Sequence, residues 1–261
     1  MNRRQRLLRC GHRAVDERAI SRFRELLLKD WANWGRDFPW RRARASRYHQ
    51  VVSEILLQRT RANVVAAFWP EFIRRFPSWK AIASRPVREL HRALSPIGLA
   101  NQRAPRLHSL AMLLGRTNGR FPRERVQVEG LPAVGQYVAN AVSLFCHGKP
   151  APLLDATMAR VLERFFGERK LADIRYDPYL QSLAAHVVDD FRSRALNWAI
   201  LDHGALVCRT KNPLCGQCSL ASSCRYAQSR KRETTIDVRP VIIIETRNRG
   251  GGMDRAAKRG Q

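Results

Sequence analysis

Short helices separated by proline and glycine are the feature that most limits how this chain can fold. Between residues 49 and 115, apolar side chains recur at helical spacing, and the pattern is interrupted at Pro70, Pro77, Pro86, Pro96 and Gly98. Such interruptions predict helices of about 8 to 16 residues joined by short turns. Further helices are predicted at 15–34, 135–146, 156–166, 178–191 and 195–207. The one β-like run, RPVIIIETR at 239–247, comes late, so the sequence predicts an all-α protein.

The charge of the chain is the next constraint. Its 261 residues include 48 lysines and arginines against 22 acidic residues, a formal net charge of +26. Most of the cations are arginines, whose planar fork suits phosphate oxygens, so the composition favours a nucleic acid partner over a merely solvated basic face. The chain shows no apolar run of the roughly 18 residues that a membrane span needs, and no secretory signal. We therefore expect no membrane partner and an intracellular location, in the cytoplasm or nucleoid.

Four of the six cysteines form a C-x6-C-x2-C-x5-C array at Cys208, Cys215, Cys218 and Cys224. In a reducing compartment such a cluster is better interpreted as metal-binding than as disulfides. Structural zinc usually takes two short Cys-x2–4-Cys pairs, and only one is present. The wider, asymmetric spacing favours a [4Fe–4S] cluster, with zinc as the alternative.

A near-neutral segment, LPAVGQYVANAV at 131–142, lies in the middle of this basic chain. Its proline and glycine predict a helix, a tight turn and a second helix, and Gly135 permits a close backbone approach. The free N–H groups at the start of the second helix would bind phosphate without a formal charge. Leu131, Val134 and Gly135 are therefore candidate DNA-binding residues, and a plain turn between core helices is the alternative.

Twenty residues after Gly135 comes Asp155, within LLDATMARVLERFFG, and the cysteine array follows. In this order and spacing, the chain resembles the helix-hairpin-helix DNA glycosylases of the endonuclease III superfamily from about Asp37 to Cys224. The resemblance implies two helical domains flanking a cleft that holds double-stranded DNA with a flipped base, and a [4Fe–4S] cofactor. We expect a monomer with four segments: 1–46, packing with the cluster domain; 47–150, the six-helix domain with the hairpin; 151–228, with the catalytic aspartate and the cluster; and 229–261, a basic, largely disordered tail.

The resemblance also implies roles for two carboxylates. Asp155 matches the aspartate that stabilises the oxocarbenium-like transition state and positions the attacking water, although an aspartate there also suits a helix N-cap. Glu54, within HQVVSEILLQRTRANVV, shares a helix edge with Gln58 and Arg61 by spacing. A glutamate at this position contacts the flipped base in some relatives, and a solvated flank is the alternative.

Other matches concern the DNA itself. Gln58 matches the residue that wedges into the gap left by the flipped nucleotide, and Arg59 is placed to contact the orphaned base. The segment FPWR, with Trp40, matches the pocket side of these relatives, and an aromatic core contact is the alternative.

Tyr137 bears on the type of reaction. Relatives that also cut the strand carry lysine at this position, where its amine forms a Schiff base with the sugar. A phenol cannot do so, and we therefore expect Tyr137 to mark a monofunctional glycosylase that uses water as its nucleophile.

The base released is expected to be thymine or uracil mispaired with guanine. Glycosylases acting on such mismatches resemble this chain at EILLQRT and GLANQRA. Adenine glycosylases acting opposite guanine or 8-oxoguanine are the alternative, but these usually own a further C-terminal domain, for which the 37 residues after Cys224 are too few. A bifunctional glycosylase/lyase and a non-catalytic iron–sulfur DNA-binding protein are further alternatives.

The hairpin departs from the family pattern LPGVG at one position, Ala133. Because alanine tolerates a turn conformation with negative φ, we expect the hairpin to keep its shape. A positive φ would strain it.

Overall fold

The structure, a computed structural model, describes residues 7–236, with the backbone alone for residues 231–236. Within this range it is mainly helical, which confirms the predicted fold class. The helices are α1 (Glu17–Trp34), α2 (Arg47–Leu57), α3 (Ala62–Arg75), α4 (Trp79–Ala83), α5 (Val87–Leu94), α6 (Ala100–Arg116), α7 (Arg125–Glu129), α8 (Gln136–Cys146), α9 (Ala156–Phe166), α10 (Pro178–Val188), α11 (Ser193–Leu206) and α12 (Arg225–Ile236). Short 3₁₀ turns lie at Pro39–Arg41, Ser95–Ile97, Cys215–Gln217 and Ala221–Ser223.

Most helix bounds agree with the periodicity of the sequence. Helix α9 begins and ends at the predicted residues, 156 and 166. The predicted break at Pro70 is wrong, because Pro70 lies inside α3. A proline removes one helical hydrogen bond there, but Val65, Trp69 and Phe72 bury side chains on both sides of it and hold the helix together.

A small β-hairpin at the N-terminus was not predicted. Strand β1 (Leu7–Cys10) pairs antiparallel with β2 (Arg13–Asp16), with Leu7 opposite Asp16 and Cys10 opposite Arg13. Each strand has four residues, too few for an alternating pattern to stand out. Gly11 makes the turn with φ +55, and a Cβ there would lie 2.7 Å from the backbone nitrogen of Tyr179. The hairpin thus packs closely against the start of α10.

The buried apolar side chains form two clusters, which define two lobes. The first lobe contains α2–α7 and one face of α8, and the second contains the β-hairpin, α1, α9–α11 and the other face of α8. Helix α8 joins them, since Val138 and Val142 pack in the first lobe while Ala141 and Leu144 pack in the second. The chain begins in the second lobe, builds the first and then returns.

The end of the chain is only partly described. Helix α12 runs to Ile236, so the predicted tail 229–261 begins within a helix. The β-like run at 239–247 lies outside the described residues. None of the helices between residues 7 and 236 combines the length and apolar character needed to span a lipid bilayer.

Candidate active site

An open cleft of about 1180 Å³ lies between the two lobes. It brings together most of the residues that the sequence singled out. Those lining it are Gln58, Arg59, Leu131, Val134, Gly135, Tyr137 and Asp155. Its other walls come from residues 99–106 and 173–181.

Glu54 lies directly behind Tyr137. The Tyr137 hydroxyl donates a hydrogen bond of 2.7 Å to Oε2 of Glu54, and Glu54 is only 4 % exposed. Burial raises the pKa of the Glu54 carboxyl to about 7; the Tyr137 hydrogen bond and the charge of Arg41 oppose the rise, and the charge of Asp155 adds to it. Burial, with the Glu54 and Asp155 charges second, raises the pKa of Tyr137 well above its usual range. Glu54 is therefore a buried carboxyl that can hold a proton near neutral pH.

The predicted helix edge shared by Glu54, Gln58 and Arg61 is not present. Helix α2 ends at Leu57, so Gln58 and Arg61 lie in the loop before α3 and are exposed. Helical spacing places Glu54, Gln58 and Arg61 on one edge only if the helix continues past Leu57, and it does not. As a result, Glu54 faces the interior of the site while Gln58 stands at its rim.

Asp155 is the N-cap of α9, as its sequence position predicted. Its Oδ1 accepts hydrogen bonds of 2.8 Å from the backbone N–H groups of Thr157 and Met158. Burial raises the pKa of its carboxyl, and the hydrogen bonds from Met158 and Thr157 oppose the rise. The cap fixes the direction of the carboxyl group, which faces the cleft.

Two buried asparagines, neither of them predicted from the sequence, hold the segment leading to Asp155. The side chain of Asn140 on α8 donates a hydrogen bond of 2.8 Å to the carbonyl of Pro152. The side-chain oxygen of Asn197 on α11 accepts a hydrogen bond of 2.6 Å from the N–H of Leu153. Arg125 donates 2.6 Å to Oδ1 of Asn140, which links the hairpin to this segment. A polar residue within an apolar helical run was the signal that could have found them.

The hairpin consists of α7, the turn 130–135 and α8. Ala133 has φ +61, so the expectation of a negative φ is wrong, and the methyl group strains the backbone. Gly135 is extended, at φ −102 and ψ −174, and a Cβ there would meet no atom within 4 Å. The fold itself does not require glycine at 135, so the space above this residue is open to a ligand.

The rim opposite Asp155 carries two strained residues. Arg59 has φ +57 and Leu99 has φ +58, and both side chains line the cleft. Leu99 is 43 % exposed and was missed, because nothing in the local sequence marks an exposed leucine as functional.

Trp40 lies away from the cleft. It is 2 % exposed. Its ring stacks on that of Phe38 with 4.9 Å between the ring centroids, and it meets the ring of Trp69 edge-on with 5.2 Å between the centroids. This arrangement matches the core alternative stated for the FPWR segment. Arg41, the last residue of that segment, instead forms a buried ion pair of 2.8 Å with Asp202.

The four cysteines of the array line a single, almost wholly apolar cavity. Burial raises the pKa of the Cys218 thiol to about 11. Arg164 lies with Nη1 3.5 Å from Sγ of Cys208, and His203 with Nε2 3.7 Å from Sγ of Cys218. Among residues 7–236, no group of three or more His, Cys, Asp or Glu side chains lies close enough together to hold a single metal ion.

Comparisons with known proteins agree with this geometry. Residues 52–178 match the family model of the HhH-GPD superfamily base excision DNA repair proteins. A thymine/uracil-DNA glycosylase of Pyrobaculum aerophilum is 36 % identical over 226 residues, covering 84 % of this chain and 96 % of the relative. An adenine DNA glycosylase of Mycolicibacterium smegmatis is 33 % identical over 202 residues, covering 77 % of this chain and 68 % of the relative. The solved structure of a thermostable thymine-DNA glycosylase is similar with a TM-score of 0.72 at 32 % identity, covering 81 % of this chain and 98 % of that one.

Proposed function

Since this chain belongs to the HhH-GPD superfamily of base excision DNA repair proteins and is a DNA glycosylase, we propose that it hydrolyses thymine or uracil mispaired with guanine from double-stranded DNA and leaves the strand uncut.

The observation that carries the proposal is the contact between Tyr137 and Glu54. A phenol occupies the start of the hairpin's second helix and points its hydroxyl at a buried carboxyl, 2.7 Å away. A lyase needs an amine beside the sugar to form a Schiff base. No lysine is among the described residues that line the cleft. Water is then the nucleophile, and hydrolysis of the N-glycosidic bond is the whole reaction.

Asp155 would stabilise the transition state. As the bond to the base breaks, positive charge develops on the sugar, and a fixed carboxylate beside it lowers the energy of that state. The two N–H groups that hold Oδ1 oppose the rise in pKa that burial causes in this carboxyl, and they keep it from turning. Asp155 would therefore act as the ionised group and align the attacking water.

Glu54 would act on the departing base. A carboxyl with a pKa near 7 holds its proton for part of the time at neutral pH and can pass it to an oxygen or nitrogen of the leaving pyrimidine. The Asp155 charge helps keep that proton on Glu54. The two carboxyls thus have different environments suited to two different tasks.

The DNA grip would come from the hairpin and the opposite rim. The first N–H groups of α8 have no intrahelical acceptor and, beside the open Gly135, would bind a phosphate. Gln58 and Leu99, on the same rim of the cleft, would enter the duplex as the base flips out, and Arg59 would meet the orphaned partner. The net charge of +26 supplies long-range attraction to DNA.

The choice of thymine or uracil over adenine is supported by the relatives. The thymine/uracil relative is 36 % identical over 84 % of this chain, and the adenine relative is 33 % identical over 77 % of it. Adenine opposite guanine or 8-oxoguanine remains the second candidate.

Cys208, Cys215, Cys218 and Cys224 would hold a [4Fe–4S] cluster. Four thiols around one buried apolar cavity fit such a group, since burial disfavours a thiolate unless a metal compensates its charge. Zinc, which would take all four sulfurs at about 2.3 Å from one ion, is the alternative. When bound, the cluster would pin the segment 208–224 against α9 and α11. Analysis of iron, zinc and acid-labile sulfide in the purified protein tests this assignment.

Single-turnover excision tests the function. Duplexes carrying G·T, G·U, A·G or A·8-oxoguanine are incubated with excess enzyme and analysed with and without hot alkali. Release from G·T and G·U, with breaks only after alkali and no adduct trapped by borohydride, is the expected result. Release from the adenine duplexes would support the second candidate, and a trapped adduct would indicate a lyase.

Duplex affinity with no release from any of the four substrates would contradict both candidate substrates. We propose further that the enzyme acts as a monomer on chromosomal DNA inside the cell; the mass of the protein alone and of its DNA complex, measured by light scattering, tests the monomer.

A further inference from the structure

One guanidinium group joins the two loops at the rim of the cleft. Arg103 on α6 is 7 % exposed, and its Nη1 donates 3.1 Å to the carbonyl of Gly98. Its Nη2 donates two hydrogen bonds, one of 2.8 Å to the carbonyl of Gln58 and one of 3.1 Å to Oγ1 of Thr60. The Thr60 hydroxyl in turn donates 3.2 Å to the carbonyl of Ile97. The two loops are therefore cross-linked through Arg103 and Thr60.

The position of these carbonyls is informative. Each carbonyl that Arg103 binds belongs to the residue just before a left-handed, non-glycine residue: Gln58 precedes Arg59, and Gly98 precedes Leu99. A left-handed backbone is unfavourable for such residues and persists only where surrounding contacts enforce it. The planar fork of arginine supplies two donors at a fixed spacing, which a lysine cannot do.

We propose that Arg103 is a positioning residue that sets the Gln58–Arg59 loop and the Leu99 loop at a fixed separation, so that both enter the duplex together. The inference rests on the proposed function for its role in base flipping, but the coupling of the loops is a property of the free protein. Arg103 does not act on the reacting atoms. Its effect passes through the backbone of the two loops.

Hydrogen–deuterium exchange on the free protein tests the coupling without any substrate. In Arg103→Lys, amide exchange is expected to accelerate about tenfold or more at both 58–61 and 98–100, because the charge-assisted bonds to both loops are lost together. Exchange at the hairpin, 131–135, is expected to stay unchanged. Thr60→Val, which removes one hydroxyl and no charge, should give the same pattern with smaller amplitude. Loosening of one loop alone, of neither loop, or of the whole first lobe would overturn the proposal.

Single-turnover excision then tests the role in flipping. Uracil opposite guanine in a duplex is compared with uracil in a one-nucleotide bulge, which is already unpaired. Arg103→Lys is expected to slow duplex excision about tenfold and to change bulge excision little. An equal loss on both substrates would indicate a purely structural role and contradict the proposal.

The matched control is Arg116→Lys, an exposed arginine on the same helix, which should leave exchange and both rates unchanged. If the wild-type protein releases uracil from neither substrate, the proposed function fails while the exchange experiment still decides the coupling.

Discussion

The two walls of the cleft are built in opposite ways. The wall from the first lobe carries Arg59, Leu99 and Ala133, three non-glycine residues with positive φ. The wall from the second lobe presents Asp155 from a helix cap with two hydrogen bonds of 2.8 Å. The lobe proposed to deform DNA thus stores backbone strain, whereas the lobe proposed to act on the sugar holds its carboxylate in an unstrained conformation. On the second-lobe wall, a substitution should therefore change activity without changing stability. On the first-lobe wall, a substitution should relieve backbone strain.

Asp155→Asn is the largest expected change in activity. Loss of the charge should lower single-turnover excision about 10³-fold. Asparagine caps helices about as well as aspartate, so the free energy of unfolding should change by less than about 0.5 kcal/mol. Rate, urea denaturation and affinity for an abasic-analogue duplex are measured on the same preparation. A large loss of stability would show that the cap and the catalytic role cannot be separated, and a normal rate would remove Asp155 from the reaction.

Glu54→Gln is expected to lower excision about 100-fold at pH 6, where the wild-type carboxyl is protonated. The wild-type rate should fall as pH rises through about 7, because the proton is then lost, and the variant should show no such fall. Single-turnover rates from pH 5 to 9 make the comparison.

The same group affects stability. The pKa of Glu54 in the folded protein lies above its ordinary value, so the protonated carboxyl favours the folded state. This contribution to the free energy of unfolding is complete below about pH 4.5 and is lost as pH rises through about 7, a change on the order of 3 kcal/mol. Urea denaturation should show a decline over this range that Glu54→Gln reduces. A pH-independent wild-type rate, or an unchanged decline in the variant, would argue against a buried, protonated Glu54.

Much of this site could be predicted where local chemistry decides the outcome. Asp155 at the start of α9 follows from the preference of aspartate for a helix N-cap, and the bounds of that helix follow from its apolar period. Gln58 was assigned to a helix edge because periodicity does not show that α2 ends at Leu57. The sign of φ at Ala133 and the bonds of Arg103 to Gln58, 45 residues earlier, depend on tertiary packing and leave no local signal. For Trp40, the sequence left two alternatives open, and only the fold shows that its ring packs on Phe38.

Tyr137→Phe should alter the pH dependence more than the maximal rate. The hydroxyl stabilises the charged form of Glu54, so its removal should raise the pKa of Glu54 further and move the fall in rate upward by about one pH unit. Single-turnover rates from pH 6 to 9 measure this midpoint. A downward movement would mean that Tyr137 does not donate to the carboxylate in solution.

Ala133→Gly gives the smallest effect and tests the strained wall most directly. Glycine adopts the observed φ of +61 without a steric penalty, so the substitution should remove about 1 kcal/mol of strain from the folded state. The greater conformational entropy of glycine in the unfolded chain should offset part of this gain. The net gain of about 0.5 kcal/mol corresponds to a rise of about 1–2 °C in Tm. Asn118→Gly is the matched control, because Asn118 is also left-handed, with φ +51, but lies away from the cleft, and asparagine tolerates this conformation. Scanning calorimetry should therefore show a larger gain at 133 than at 118, with duplex affinity at 133 unchanged or tighter. If Ala133→Gly instead weakens duplex binding, the methyl group contacts DNA, and the strain at this position is retained for the grip itself.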